Sequence, residues 1–401
     1  MVEAAVLIPP SALPSAPAAA RASATSWVSR VVMFGATSIV LGVLWDISWH
    51  RTIGRDTFWT PAHLAIYLGG TLGGLTAAWL IFQATFRTPA AEHGGYVRVL
   101  GCRGPLGAWV TAWGGLAMLT SAPFDNWWHD AYGLDVEILS PPHTLLALGM
   151  FAVVLGALLL VLREQNLAPP GTPAPGRWLF VYGGAVLLAM VAVFLTEESW
   201  PNQQRNHVFC LASCATYPVY LLGIARASKF RWGATLMAAG FMLINAAMLW
   251  VLPLFPGEPK LGPIYNPVDH FVPLAFPLLL VVPALGLDLV RGWIGHGRGW
   301  RRDWLLAIVG GLAFTGLFLA TQWHFAEFLI GPGGQNWFFG ADRHWSYGER
   351  MGEWQRQFWS VSSPEWNRPA TRQTFLIATL LAIAACRAGL WLGNGMARVR
   401  R

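Results

Sequence analysis

The chain has 401 residues, of which 55% are hydrophobic and only 12% charged. An ordinary soluble domain carries about 25% charged residues, so this composition excludes that class and points to an integral membrane protein. The net charge of +7 does not indicate nucleic acid, because the basic residues are sorted by loop.

Residues 1–27 are rich in Ala, Pro and Ser and predict a disordered segment. Pro9 and Pro10 interrupt its apolar stretch and no basic region precedes it, so a cleaved signal peptide is not expected. Apolar runs then follow at 28–50, 61–86, 106–129, 141–163, 177–198, 207–226, 231–252, 269–291, 303–329 and 370–392. Each is long enough for a transmembrane helix. The expected fold is an all-α membrane protein of about ten spans in five helical hairpins. Residues 28–163 form the first two hairpins, and 164–401 the other three with one long outer loop, 331–369.

Twelve basic residues fall in the loops on one side: Arg87, Arg98, Arg103, Arg163, Arg177, Arg226, Lys229, Arg231, Arg291, Arg298, Arg301 and Arg302. The short loops on the other side hold four, Arg51, Arg55, Arg205 and Lys260. Under the positive-inside rule both termini are cytoplasmic, and the sparse side faces the periplasm across an inner membrane.

On that outer side lies an internal repeat. Asp46-Ile-Ser-Trp-His50 is followed by Thr60-Pro-Ala-His63, and Asp125-Asn-Trp-Trp-His129 by Ser140-Pro-Pro-His143. Gly54 and Gly133 come four residues after the first His, and Asp56 and Asp135 six after it. Asp and His four apart share one helix face. A tight loop then returns the chain so that a second His, opening the next helix, meets the same point. Two imidazoles and one carboxylate make a three-ligand set that leaves positions open for water, dioxygen or substrate. Such donors suit copper, zinc or iron, with copper first in the affinity order. A bound cation would also offset the cost of a carboxylate in a membrane helix. Asp56 and Asp135 are candidates for orienting a ligand imidazole. Trp45, Trp49, Trp127 and Trp128 wall a dry pocket or anchor the interface.

The later hairpins carry weaker echoes: Glu197 and Glu198 with His207, then Asp269-His270, then Trp323-His324 with Glu327. They form a further site or are boundary groups satisfied by water. The outer loop holds Trp337, Phe338, Phe339, His344, Trp345, Trp354, Trp359 and Trp366, and an interfacial belt is expected over a lid. Cys210 and Cys214 share a face with His207 and read as packing residues.

The segment Asp46-x3-His50-x12-His63, with Arg-Asp-Thr-Phe-Trp-Thr-Pro-Ala-His at its end, resembles the C subunit of copper membrane monooxygenases, the particulate methane and ammonia enzymes. In that subunit Asp-x3-His-x12-His binds copper. The second copy resembles the same subunit's Asn-x3-His-x13-His motif, with Asp125 in place of Asn and with His129 and His143 matching. The resemblance covers about residues 28–163. It implies copper at Asp46, His50 and His63 and at Asp125, His129 and His143, oxidation of a small apolar substrate with dioxygen, partner subunits and a quinol electron donor. A metal-acquisition protein or a structural subunit of a redox complex are the alternatives. Apolar inner halves of the motif helices disfavour transport.

Overall fold

Prolines and glycines decide where these apolar runs become helices and where they stop. The computed structural model describes residues 26–55, 57–87, 95–133, 140–169, 174–295, 297–358 and 368–400. Among them are ten helices: α1 (Trp27–Thr52), α2 (Pro61–Phe86), α3 (Leu106–Tyr132), α4 (Pro141–Leu167), α5 (Arg177–Val193), α6 (His207–Ala227), α7 (Gly233–Val251), α8 (Val281–Ile294), α9 (Trp300–Ile330) and α10 (Arg372–Met396). A small antiparallel pair, β1 (Val97–Val99) and β2 (Cys102–Gly104), joins α2 to α3.

Seven helices, α1, α2, α4, α6, α7, α9 and α10, are long and apolar enough to cross a membrane. The expected run 106–129 is helical throughout as α3, and the expectation of ten full helical spans is corrected at two places. The run 177–198 stays helical only to Val193, then turns through short 3₁₀ pieces at Glu197–Ser199 and Pro201–Gln203.

The run 269–291 departs most, because residues 271–279 are non-helical and α8 begins only at Val281. Pro273 and Pro277 explain it: each lacks an amide donor and pushes the residue before it out of the helical region. Phe271, Val272, Leu278 and Leu280 are nevertheless buried. Neighbouring side chains supply part of the missing hydrogen bonding. Thr52 Oγ1 accepts from Val272 N (2.8 Å), Ser48 Oγ donates to Val272 O (2.7 Å) and Gln322 Oε1 accepts from Leu279 N (3.1 Å). Irregular backbone at this depth is tolerated when protein surrounds it.

The first two hairpins form as expected, α1 packing along α2 and α3 along α4. The third does not: α6 lies mainly along α10 and only slightly against α5, which packs more on α7. Helices α6 and α10 run parallel. A bridge between Asn206 and Pro369 joins their starts, and Arg226 Nε donates to Asn394 Oδ1 (3.0 Å) at their ends. Their close approach depends on Gly389 and Gly393, where a Cβ would lie 2.6 Å from Val219 O and from Gly223 O respectively.

Glycine also sets the crossing of the motif hairpins. A Cβ on Gly35 would lie 2.7 Å from Gly69 O, and one on Gly114 would lie 2.8 Å from Gly149 O. Gly35 and Gly114 are related by the same offset as Asp46 and Asp125, and Gly69 and Gly149 by that of His63 and His143. The repeat thus includes the helix crossing as well as the polar ends. Small residues let backbones touch where lipid offers no hydrophobic drive for association.

Candidate metal centre

Each motif is assembled by the same local events. Helix α1 closes with Ile53 N bonded to Trp49 O, and Gly54 follows at φ +80°. Helix α3 closes with Gly133 at φ +90°, its N–H on His129 O (2.9 Å). Both glycines take the left-handed conformation that other residues resist. Pro61 and Pro141 then open α2 and α4 at their first helical positions, where a missing amide proton costs nothing. His63 and His143 are therefore both the third residue of their helix. Ser140 Oγ caps α4 by accepting from His143 N (3.4 Å).

The expected ligands come together in both copies. His50 Nε2 stands 3.8 Å from Asp46 Oδ2, and His63 Nε2 stands 3.2 Å from Asp46 Oδ1. In the second copy His129 Nε2 is 3.5 Å from Asp125 Oδ2, and His143 Nε2 is 3.6 Å from Asp125 Oδ1. In each set the two imidazoles meet different oxygens, so among the described residues no three such side chains close around one point. Taken pair by pair, the His–Asp spacings are near those of two donors on one ion. Two donors about 2.1 Å from one metal at 90–120° stand about 3.0–3.6 Å apart; only the 3.8 Å contact is wider.

Protonation sharpens the geometry. His63 Nδ1 is 3.1 Å from Thr57 O, and His129 Nδ1 is 3.2 Å from Gly133 O. A carbonyl only accepts, so Nδ1 carries the proton in each, and in the neutral ring Nε2 presents a lone pair to the carboxylate. Two lone pairs do not face each other at such distances unless a cation, a proton or a metal ion, lies between them. Asp46 Oδ1 and Asp125 Oδ1 are shielded from solvent and accept no hydrogen bond. An imidazole that gives Nδ1–H to a carbonyl and turns Nε2 inward is the usual posture of a metal ligand. The donor set thus fits a divalent or soft monovalent cation.

The two centres are neighbours. Tyr67, one turn beyond His63, places its hydroxyl 3.2 Å from Ser121 Oγ, one turn before Asp125. Ser121 gives its own proton to Met118 O (2.7 Å), so Tyr67 is the donor. Neither Tyr67 nor Ser121 belongs to the repeat, and sequence pattern gave no reason to select them.

Their surroundings differ. Three later connections cover the end of α1. Arg51 Nη2 donates to His344 O (2.7 Å), faces Glu349 Oε1 (3.4 Å) and lies with its guanidinium 4.2 Å from the Trp200 ring centre. Tyr347 N and Ser346 Oγ donate to Arg51 O, Lys260 N donates to Ile53 O, and Tyr347 fills the space beside Gly54. The outer loop is thus partly a cap. His344 and Trp345 are buried while Trp337 and Phe338 are exposed, which corrects the expectation of a purely interfacial belt. Burial holds the His344 imidazole down to about 3 and pushes the Glu349 carboxyl up.

The remaining polar groups do not gather into one further site. Glu197 accepts from Trp200 Nε1 (3.4 Å), beside Arg51. Glu327 pairs with Arg205 (2.7 Å), and His207 Nδ1 meets the Arg368 backbone. His270 Nδ1 meets Asp269 Oδ1 (2.7 Å), which lowers that carboxyl's pKa. Trp45 and Trp49 pack with Ile53, Leu252 and Phe271, and Trp127 is half exposed. Cys210 and Cys214 are buried in the core, in line with a packing role. Asp56, Asp135, Trp359, Trp366 and nearly all of 1–27 lie outside the described residues. No known family, no curated protein and no solved structure matches the chain.

Proposed function

We propose that this is a multi-pass membrane protein holding one metal ion in each of its first two hairpins, copper in preference to zinc or iron. Asp46, His50 and His63 hold the first ion, and Asp125, His129 and His143 the second. The observation that carries this is the facing of His63 Nε2 and His143 Nε2, one in each of two hairpins built alike, onto a carboxylate oxygen that accepts no hydrogen bond. Protons are the alternative: one on Nε2 of His63 and of His129 would make each a positive ring beside its carboxylate, while His50 and His143 could donate from Nε2 as neutral rings.

The reading extends to an oxygenase, or the metal-bearing subunit of one, acting on a small apolar substrate. Copper, when bound, would supply the one-electron chemistry that dioxygen activation requires. The chain's own part is to hold the imidazoles by their Nδ1–H bonds to Thr57 and Gly133 and to keep one carboxylate oxygen per centre out of water. The sparse charge of the loops on this side supports a periplasmic face for these groups under the positive-inside rule, within reach of a substrate dissolved in lipid. A quinol and further subunits are the expected partners.

Copper-loaded protein in lipid nanodiscs, given a quinol and a short alkane, is expected to consume oxygen in a substrate-dependent way. Stoichiometric copper with no such uptake, with partner subunits supplied, would leave metal binding or delivery as the function. Absence of bound metal after chelator-free purification would leave a structural role.

A further inference from the structure

A cavity of about 380 Å³ lies between α1, α2 and α4, at the ends of these helices opposite to their Asp and His motifs. Val28, Leu80, Leu160 and Leu167 form its apolar walls, and Tyr96, just before β1, closes one side. Its two charged side chains, Arg163 and Glu164, are neighbours in sequence but are held differently. Glu164 is engaged by the start of α1. Its Oε1 accepts from Ser26 Oγ and from Ser29 Oγ (2.6 Å), and its Oε2 accepts from Ser26 N (3.2 Å). The dipole of α1 favours a carboxylate there as well. Arg163 has no such balance. Its Nε is shut off from solvent with no hydrogen-bond partner, and among the described residues no carboxylate pairs with it. What it does meet is the Tyr96 ring, whose centre is 5.1 Å from the guanidinium carbon. A half-buried guanidinium without an anion is costly.

The cavity also sits at a recognisable depth. Residues 144–162 of α4 hold no ionisable side chain, and Arg163 is the first after them. Trp27 and Trp79, both exposed and with rings 5.1 Å apart, adjoin Val28 and Leu80. Exposed indoles at a helix end mark the level of lipid headgroups. The loops at this end carry Arg87, Arg98, Arg103 and Arg177 as well, and basic pockets between membrane helices attract anionic lipids.

We propose that this cavity holds the phosphate of one anionic phospholipid, of the phosphatidylglycerol type, with Arg163 as its anchor. A guanidinium gives two parallel N–H bonds to a phosphate, and its stacking on Tyr96 keeps that fork oriented. The glycerol and first acyl carbons would lie on Val28, Leu80, Leu160 and Leu167. Free phosphate is disfavoured, because one guanidinium among apolar side chains does not replace its water shell. A zwitterionic headgroup brings an ammonium whose natural partner, Glu164, is already held by α1. The volume is that of a small-molecule site, about 300–1,000 Å³, and far above the roughly 10–15 Å³ that one water needs. A lipid bound here ties together three helices whose other ends carry His50, His63 and His143, and the site stands whether or not those residues hold metal.

The test is native mass spectrometry of the full chain, released from detergent after titration with phosphatidylglycerol, phosphatidylethanolamine or phosphatidylcholine of identical acyl chains. One phosphatidylglycerol is expected to bind about fivefold more tightly than either zwitterionic lipid, the margin for one guanidinium. Arg163→Gln is expected to weaken it about tenfold, as for loss of a charge-assisted hydrogen bond. Arg301→Gln, exposed on the same basic side, is expected to leave it unchanged. Leu80→Trp, which fills the cavity from α2, is expected to abolish binding while the melting temperature shows that the protein is folded. Four results would overturn the proposal: equal affinity for a zwitterionic lipid, equal affinity in Arg163→Gln, the same loss in Arg301→Gln, or displacement by inorganic phosphate at a concentration comparable to the lipid's. The last would make this a site for a free anion.

Discussion

Acidification is predicted to release residues 341–347 from the outer end of α1. His344 is only 2% exposed, with Nδ1 on Gly340 O (3.2 Å), and burial, reinforced by the nearby Arg51 charge, holds its imidazole down to about 3. A free histidine titrates near 6.5. Between those values the released segment binds more protons than the docked one. The stabilisation is therefore complete above about pH 6.5 and is lost progressively as the pH falls toward 3. At pH 5 the loss is about 2 kcal/mol, 1.5 pH units at 1.36 kcal/mol each, or about thirtyfold in the docking equilibrium. Glu349 acts in the opposite sense, because burial raises its carboxyl and protonation on acidification favours docking. The 2 kcal/mol is thus an upper limit, and Glu349→Gln removes the offset. Hydrogen exchange of these amides between pH 7.5 and 5, corrected for intrinsic rates, is the assay. Protection that stays constant in wild type and in Glu349→Gln, or an equal slope in His344→Phe, would refute the reasoning.

Other consequences concern packing and charge. Gly35→Ala and Gly114→Ala each drive a Cβ into the partner carbonyl at 2.7 and 2.8 Å and should cost about 1–3 kcal/mol through overpacking. Gly316→Ala, where a Cβ meets nothing within 4 Å, should leave the melting temperature of detergent-solubilised protein unchanged or slightly raised. Equal melting in all three would contradict the crossing described. Arg51→Met strands the half-buried Glu349 and should cost about 1–3 kcal/mol. The double variant with Glu349→Leu should recover much of that, as read by thermal unfolding. Tyr67→Phe removes one interhelical hydrogen bond while Ser121 keeps its bond to Met118, so a loss of only about 0.5–1.5 kcal/mol is expected. A larger loss would mean that Tyr67 holds more than this contact.

The membrane class, most helix boundaries and the gathering of one Asp and two His in each hairpin were legible because each rests on local pattern. Pro61 and Pro141 open their helices where the sequence placed them, and the Asp-x3-His spacing puts its side chains on one face. Other features depend on distant partners. The run 269–291 is as apolar as a span, yet Pro273 and Pro277 break it, and Ser48, Thr52 and Gln322 supply part of its backbone hydrogen bonding. The parallel pairing of α6 with α10 rests on Gly389 and Gly393, which in sequence are only small residues in an apolar helix. Arg51 is adjacent to His50, but its partners Trp200, His344 and Glu349 come from two separate connections, a juxtaposition no spacing encodes. Gly35 and Gly114 were detectable as repeat members, since they keep the offset of Asp46 and Asp125, but a search confined to polar residues passes over them.

Metal content per chain, by elemental analysis with copper EPR, tests the central claim most directly. Wild type purified without chelator is predicted to hold two ions. His50→Ala and His129→Ala are each predicted to hold one, with a different half of the copper signal surviving in each. Fewer than one ion in wild type, or two retained in both variants, would contradict the assignment of the paired hairpins as metal centres.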